Sequence, residues 1–176
     1  MCLIANNSLT TLLEGLTGTL TVYKNFKATY KHENYKTTGK FKSITNVELI
    51  AMHQPGYKWS AKTHSAGTLR VDETNEVHKG IHVCLSKKEA EEAGNGYEPY
   101  VTLAFEVPVK DVHAIGTHGW SADADNKPFA GHEHRVNQQA VLKRLTITPK
   151  QHREAAALWV KELKKRQQAT TETKCG

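Results

Sequence analysis

The sequence has 176 residues, of which 38% are hydrophobic and 24% are charged, and its formal net charge is +6. This length suits one domain with a buried core, and this composition excludes a disordered polyampholyte. No apolar run is long enough to span a bilayer and the first residues lack a basic leader, so we expect a cytoplasmic protein with no membrane partner. Three cysteines without paired spacing predict reduced thiols, not a disulfide framework.

The first predicted element is a short helix in SLTTLLEGL, where leucines at positions 9, 12, 13 and 16 form one apolar stripe. Ser8 or Asn7 is the expected cap. A strand follows from Thr19 to about Tyr23. The Lys-, Thr- and Tyr-rich residues 24–46 predict a loop or a ragged hairpin, which is either simply exposed or stacks its aromatic rings on single-stranded nucleic acid.

The next elements come from residues 79–107, which begin KGIHVCLSKKEAEE. Alternation predicts a strand with Ile81 and Val83 on one face and His82 and Cys84 on the other. The spacing Ser86-x-x-Glu89 predicts a capped short helix. The following YVTLAFEV alternates strictly between apolar and other residues and predicts a further strand.

The last elements are a strand in QAVLKRLTI and a helix that begins after Thr148. Thr148, Pro149 and Gln151 form a strong helix start. The apolar stripe of this helix is predicted to comprise Ala155, Leu158, Trp159 and Leu163. Residues 149–168 carry six basic and two acidic side chains, so this amphipathic helix holds much of the basic excess.

The order of elements predicts a single α+β domain over residues 1–168, followed by a flexible tail over 169–176. Its sheet is expected to be mixed or antiparallel, and its helices are a short N-terminal one, a short central one and the C-terminal amphipathic one.

An anion-binding site is one interpretation of Lys87 and Lys88. Both stand in the first turn of a helix, where backbone N–H groups favour a negatively charged ligand and disfavour lysine. Ser86 and His82 would lie beside such a ligand. The alternative is that both lysines point into water. A second group of candidate ligand-binding residues lies in GYKWSAKTHSAG: Trp59, Lys62 and His64.

Several catalytic classes lack their motifs. No histidine has Ser or Thr two residues later, which disfavours a two-histidine phosphoesterase, and the phosphate-binding loop, G-x-G-x-x-G, G-x-S-x-G and H-E-x-x-H patterns are absent. A zinc or iron site formed by histidines 113, 118, 132 and 134, with Asp123 and Asp125 nearby, competes with a plain surface loop.

Four segments carry a resemblance to a known family: TVYK, GIHVCLSKKEAEE, YVTLAFEVPVKDV and HEHRVNQQAVLKRL. Over roughly residues 20–147 the chain resembles small, often phage-encoded, ADP-ribosyltransferase-like domains. The resemblance implies that Tyr23 or Lys24 lies near the ligand, and that His82 and Ser86 line the nicotinamide-ribose side of bound NAD. It assigns Glu133 as the carboxylate that orients a ribose hydroxyl and stabilises positive charge on the ribose.

Two functions follow as hypotheses. The first is an ADP-ribosyltransferase-like protein that binds NAD or a related nucleotide and transfers ADP-ribose, with Glu133, His82 and Tyr23 as catalytic residues. The second is a non-catalytic basic accessory or anti-defence protein in a phage-infected host cytoplasm. It would bind a nucleotide, nucleic acid or a host protein through Lys87, Lys88, residues 24–42 and the last helix.

Overall fold

The computed structural model describes residues 3–29, 48–51, 54–93, 100–118 and 138–174. Each strand pair whose register is defined is antiparallel, and these described residues also form three α-helices, so the fold is α+β as predicted. The helices are α1 Asn7–Leu13, α2 Lys87–Ala93 and α3 Pro149–Lys174. The strands are β1 Leu3–Ala5, β2 Thr19–Thr29, β3 Glu48–Ala51, β4 Gln54–Trp59, β5 Thr63–Ser65, β6 Glu76–Val77, β7 Ile81–Cys84, β8 Val101–Pro108, β9 Val112–His118, β10 Gln138–Leu142 and β11 Arg144–Thr146.

The chain divides into two compact units, and the boundary falls within β2 and within β8. Unit 1 comprises Met1–Lys24, Thr63–Ala93 and Ala104–Thr146, and unit 2 comprises Asn25–Lys62, Gly94–Leu103 and Ile147–Gly176. Whether the units behave as one domain stays a prediction.

Unit 1 contains antiparallel strands in the order β2-β7-β10-β9-β1-β6, and a separate pair of β5 with β11. All four residues of β7 are buried, so both faces of this strand are covered. One group of buried side chains packs Leu69 against residues from four strands: Leu3, Ala5, Val77, Ala114 and Val141.

Unit 2 contains strands in the order β4-β3-β2 together with α3. The rings of Phe26 and Trp59 pack edge to face, with centroids 5.9 Å apart. Helix α3 starts as predicted, because the Thr148 hydroxyl accepts a hydrogen bond from the Gln151 N–H (3.2 Å) and the Gln151 Oε1 accepts one from the Thr148 N–H (3.0 Å).

Several local predictions were wrong in detail. The cap of α1 is Asn6, whose Oδ1 accepts a hydrogen bond from the Leu9 N–H (2.9 Å), instead of Asn7 or Ser8. The leucine stripe of α1 is not a core face, since Leu12 is 67% exposed. In its place the Thr10 hydroxyl bonds with the backbone of Ile115 on β9, an attachment that a hydrophobic pattern does not reveal.

The buried face of α3 is also displaced from the predicted stripe. Leu158 is 41% exposed, whereas Ala155 and Trp159 are buried as predicted and Ala156 and Val160 are buried beside them. The side chain of Leu163 lies outside the described residues. The helix continues to Lys174 through most of the segment expected to be a tail, because that segment contains no proline or glycine before Gly176. Strand β2 likewise extends to Thr29, beyond the predicted end near Tyr23.

Candidate functional site

The candidate site lies in unit 1, where β7 leads into α2. Cys84, the last residue of β7, pairs with Tyr23 of β2 on one side and with Gln139 of β10 on the other. Next along the chain, the Leu85 N–H donates to the Gln138 carbonyl oxygen (3.1 Å). Gln138 in turn pairs with Thr117 of β9. Residue 138, which follows the segment 119–137, therefore lies on β10, the neighbour of β7. Residue 118, which precedes that segment, lies on β9, one strand further away.

One of the two hydrogen bonds of the predicted capping box is present at the start of α2. The Ser86 hydroxyl accepts a hydrogen bond from the Glu89 N–H (3.2 Å), as the S-x-x-E spacing predicted. The Glu89 carboxylate does not return to Ser86; its Oε1 accepts from the Gln138 N–H (3.3 Å). This contact attaches α2 to β10.

The lysines at the start of α2 point into solvent. Lys87 and Lys88 are exposed side chains, at 64% and 85%, and their ammonium groups lie 3.4 Å from Glu91 and 3.9 Å from Glu92. These are pairs between residues one helical turn apart, which stabilise an exposed helix by a few tenths of a kcal/mol each. Acidic side chains of the same helix thus balance the charge of both lysines. The presence of two lysines in the first turn therefore does not require an anionic ligand.

Lys24, predicted to contact the ligand, is instead a buried side chain that is 3% exposed. Its Nζ donates to the His82 carbonyl oxygen at 2.8 Å. Burial lowers the pKa of Lys24 to about 7, and the nearby Cys84 opposes this shift. The lysine therefore joins β2 to β7 inside unit 1 and can lose its proton near neutral pH.

Tyr23 and His82, the two predicted catalytic residues that the structure describes, lie on adjacent strands. Tyr23 is half-buried, while the His82 ring is buried. Since Tyr23 pairs with Cys84, the two residues are close to each other in the ladder. Direct contact between His82 and a ligand would require local opening of this part of the sheet, so its catalytic role stays a prediction.

Two hydrogen-bond acceptors that the sequence did not single out as a site lie near Cys84: Gln139 pairs with it, and the Glu89 carboxylate influences its pKa. We call Glu89 and Gln139 the acceptor cluster. Gln139 is 3% exposed. The Gln139 Oε1 and the Glu89 Oε2 are buried and have no hydrogen-bond partner among the described residues. The signal in the sequence was the polar Gln139 at the start of an otherwise apolar strand, QQAVL.

The Cys84 thiol is free and buried. Burial and, to a smaller extent, the Glu89 carboxylate raise its pKa to about 11, against the opposing effect of Lys24. A thiol in this state is a poor nucleophile at neutral pH, because the thiolate is the reactive form.

We therefore expect Cys84 to resist alkylation in the folded protein. In a variant with Cys2 and Cys175 replaced by serine, iodoacetamide at pH 8 should label Cys84 at least tenfold more slowly than in 6 M guanidinium chloride. Mass spectrometry of the intact protein measures the rate. Equal rates in the two conditions would contradict the burial of this thiol.

Two of the three residues in the second predicted ligand-binding group are buried. Trp59 is buried in unit 2 against Phe26. His64 is buried on β5, where it pairs with Leu145 of β11 in unit 1. Lys62 is exposed. The physical reason is that strand alternation turns Trp59 and His64 inward, which the polar character of GYKWSAKTHSAG concealed.

Two of the four histidines in the predicted metal site are described. His113 and His118 stand near opposite ends of β9, five residues or about 17 Å apart along the strand. Burial lowers the pKa of His113, and the positive charge of Lys143 lowers it further. A neighbouring cation also disfavours a metal ion at His113. His132, His134 and Glu133 lie outside the described residues, so their roles stay predictions.

A different histidine, His78, lies with Asp72 and Glu76 in unit 1. One ligand-type atom from each of these three side chains lies within 4.8 Å of the others. The spacing of this group, D-x-x-x-E-x-H, is present in the sequence but matches none of the motifs considered above.

Comparison with known proteins gives no relative for this chain. No family model matches it, and neither a curated protein nor a solved structure is significantly similar to it. Among the helices described above, none has both the length and the apolarity that crossing a membrane requires. The candidate site must therefore be judged from its own geometry.

Proposed function

We propose that the chain binds NAD or a related nucleotide beside the β7–α2 connection, and that it acts as an ADP-ribosyltransferase-like protein. The observation that carries the proposal is the register around Gln138. This residue bonds to Leu85 just after β7, and it pairs with Thr117 on the other side. Glu133 precedes Gln138 by five residues, so the extended chain allows at most about 18 Å between their Cα atoms.

The acceptor cluster supports a ligand that carries hydrogen-bond donors. Buried acceptor atoms without a donor are unfavourable by about 1–3 kcal/mol each, and a ligand that supplies donors removes that penalty. The carboxamide N–H groups of nicotinamide and the hydroxyl groups of ribose are such donors. The Glu89 Oε2 and the Gln139 Oε1 are the acceptors that would receive them when this part of the sheet opens locally.

The chemistry assigned to Glu133 is electrostatic. Breaking the bond between nicotinamide and ribose develops positive charge on the ribose, and a fixed carboxylate nearby lowers the barrier to that step. In this proposal Tyr23 lies on the ligand side of β2, and Lys24 holds β2 against β7 without touching the ligand. The pyrophosphate is not assigned to Lys87 and Lys88, because both are paired with Glu91 and Glu92.

A non-catalytic binding protein is the second candidate, and α3 favours it. The exposed residues of this helix include Lys150, Arg153, Lys161 and Lys165. A helix with this charge can bind the phosphates of nucleic acid, and such binding weakens steeply as salt increases.

The test is a thermal-shift panel of NAD, ADP-ribose, cyclic nucleotides, short RNA and short DNA on the full chain. A ligand that binds only the folded state raises the midpoint by mass action. We expect NAD or ADP-ribose to raise it. A shift with RNA or DNA alone, which disappears between 50 and 200 mM salt, would overturn the first candidate and select the second.

Variants connect the result to the site. Gln139→Leu removes a buried acceptor, so it should weaken nucleotide binding at least about tenfold without lowering the free energy of unfolding. Glu133→Gln should retain nucleotide binding and abolish release of nicotinamide. Glu14→Gln, which neutralises an exposed acid at the end of α1, is the matched control and should change neither quantity. Nucleotide binding that is unaltered by Gln139→Leu would exclude the acceptor cluster.

A further inference from the structure

The turn before β6 brings together the side chains of Asp72, Glu76 and His78. His78 directs its Nε2 at two carboxylates: it lies 2.9 Å from the Asp72 Oδ2 and 3.3 Å from the Glu76 Oε2. All three side chains belong to unit 1 and are partly or fully accessible to solvent. One imidazole nitrogen and two carboxylate oxygens are thus already close to one another.

These separations match those of ligands around one small divalent ion. Zinc binds imidazole nitrogen and carboxylate oxygen at about 2.0–2.2 Å. Two ligands at about 2.1 Å are therefore about 3.0 Å apart at a right angle and about 3.4 Å apart at the tetrahedral angle. The two separations from the His78 Nε2, 2.9 and 3.3 Å, correspond closely to this range. The third separation, between the two carboxylate oxygens, is within 4.8 Å, so small side-chain adjustments would bring all three atoms around one ion.

The Asp72 carboxylate is fixed in the orientation that such a site needs. Its Oδ1 accepts hydrogen bonds from the Thr74 hydroxyl (2.7 Å), the Thr74 N–H (2.9 Å) and the Glu76 N–H (2.8 Å). The other oxygen, Oδ2, is thereby left facing His78. These bonds also lower the pKa of Asp72 to about 2, with the Thr74 hydroxyl as the largest cause, so the carboxylate is charged at working pH.

Glu76 is held through the backbone. Glu76 and Val77 form β6, which pairs with Ile4 and Leu3 of β1. The Asp72 N–H donates to the Glu76 carbonyl oxygen (3.0 Å), which closes the turn. Because the sheet holds β6 and the turn holds Asp72, the backbone of both acids is already in place before an ion binds.

We propose that Asp72, Glu76 and His78 bind a divalent transition-metal ion, with zinc as the first candidate. Imidazole favours zinc, iron, nickel and copper over magnesium and calcium, and the two carboxylates balance the double charge. Three protein ligands leave at least one position for water or an anionic ligand. This site is separate from the acceptor cluster, and it does not depend on the proposed nucleotide function.

The competing account is an ion pair in which a protonated His78 is held between the two acids. It explains the same distances, but it differs in what it predicts for added metal. An ion pair gives no saturable binding of zinc, whereas a metal site does.

The experiment is titration of zinc into the untagged full chain by isothermal calorimetry, with cobalt(II) absorption as a second measurement. We expect one ion bound at the site in the wild type, and visible absorption bands from the cobalt complex. Glu76→Gln and His78→Gln each remove one ligand and should weaken zinc binding at least about tenfold. Both side chains are accessible, and circular dichroism checks that each variant remains folded.

Glu73→Gln is the matched control, because it neutralises an exposed acid in the same turn that is not part of the group. It should bind zinc as the wild type does. Absence of saturable zinc binding in the wild type would overturn the proposal. So would equal affinity in Glu76→Gln, His78→Gln and Glu73→Gln, since the zinc would then be bound elsewhere in the chain.

Discussion

Replacement of Lys24 by methionine will remove most of the pH dependence of stability between pH 7 and pH 9. In the folded protein burial lowers the pKa of Lys24 to about 7, from an ordinary value of 10.5. Between these two pH values the unfolded chain binds more protons at this residue than the folded chain does. The free energy of unfolding of the wild type therefore rises with pH in this window, with a limiting slope of about 1.4 kcal/mol per pH unit.

The direction of the pH dependence and the pH range in which it occurs distinguish Lys24 from other titrating groups. Below about pH 7 lysine is protonated in both states, so its unfavourable contribution is constant. Above pH 9 the buried Cys84 thiol acts in the opposite direction, because its pKa is raised from 9.0 to about 11 and the unfolded chain loses that proton first. The rise should therefore be largest from pH 7 to pH 9, where it amounts to about 2 kcal/mol.

Urea denaturation at four pH values measures this effect. Lys62→Met is the matched control, because Lys62 is exposed and its replacement leaves the buried amine in place. The control should keep the wild-type slope, and the Lys24 variant should lose it. Equal slopes in the two variants would contradict a buried amine that titrates near neutral pH.

Replacement of Gly116 by alanine will disrupt the pairing of β1 with β9. Gly116 pairs with Ala5, and a Cβ at this position would overlap the Ile4 carbonyl oxygen. It would also lie 2.7 Å from the Ile4 carbonyl carbon and 2.9 Å from the Ala5 Cα. These are backbone atoms of a paired strand, so they cannot yield by a side-chain rotation. We expect the free energy of unfolding to fall by at least about 3 kcal/mol.

Gly67→Ala provides the comparison for this variant. Gly67 has φ of 73°, and a Cβ there would meet nothing within 4 Å. Its replacement should cost about 1–2 kcal/mol through backbone strain alone. Urea denaturation of both variants measures the difference, and a solubility screen covers the case in which the Gly116 variant does not fold. If Gly116→Ala were no less stable than Gly67→Ala, the close approach of β1 to β9 would be wrong.

The elements with a strong local signal were predicted well. The alternation of Val101, Leu103, Phe105 and Val107 identified β8, and all four side chains are buried. The capping pattern at Thr148 identified the start of α3, because it depends on residues only three positions apart. Local patterns of this kind can be read from one sequence.

The site depends on contacts between distant residues, and these were not predicted. The family resemblance placed Lys24 near a ligand, whereas its burial depends on the pairing of β2 with β7. Gln139 was not singled out because its position opposite Cys84 follows from strand register. Register is set by the packing of whole sheets, so a single strand sequence does not reveal it.

Neither unit of this protein is a continuous stretch of sequence, since each draws on three separate segments. No single uninterrupted fragment can therefore be expressed to study one unit alone, and limited proteolysis in an exposed loop would leave pieces of both. The pairing of Leu3 with His118 also joins residues far apart in the chain. Contacts of this kind slow folding, because a long loop must close before they form, so we expect refolding on the millisecond-to-second scale.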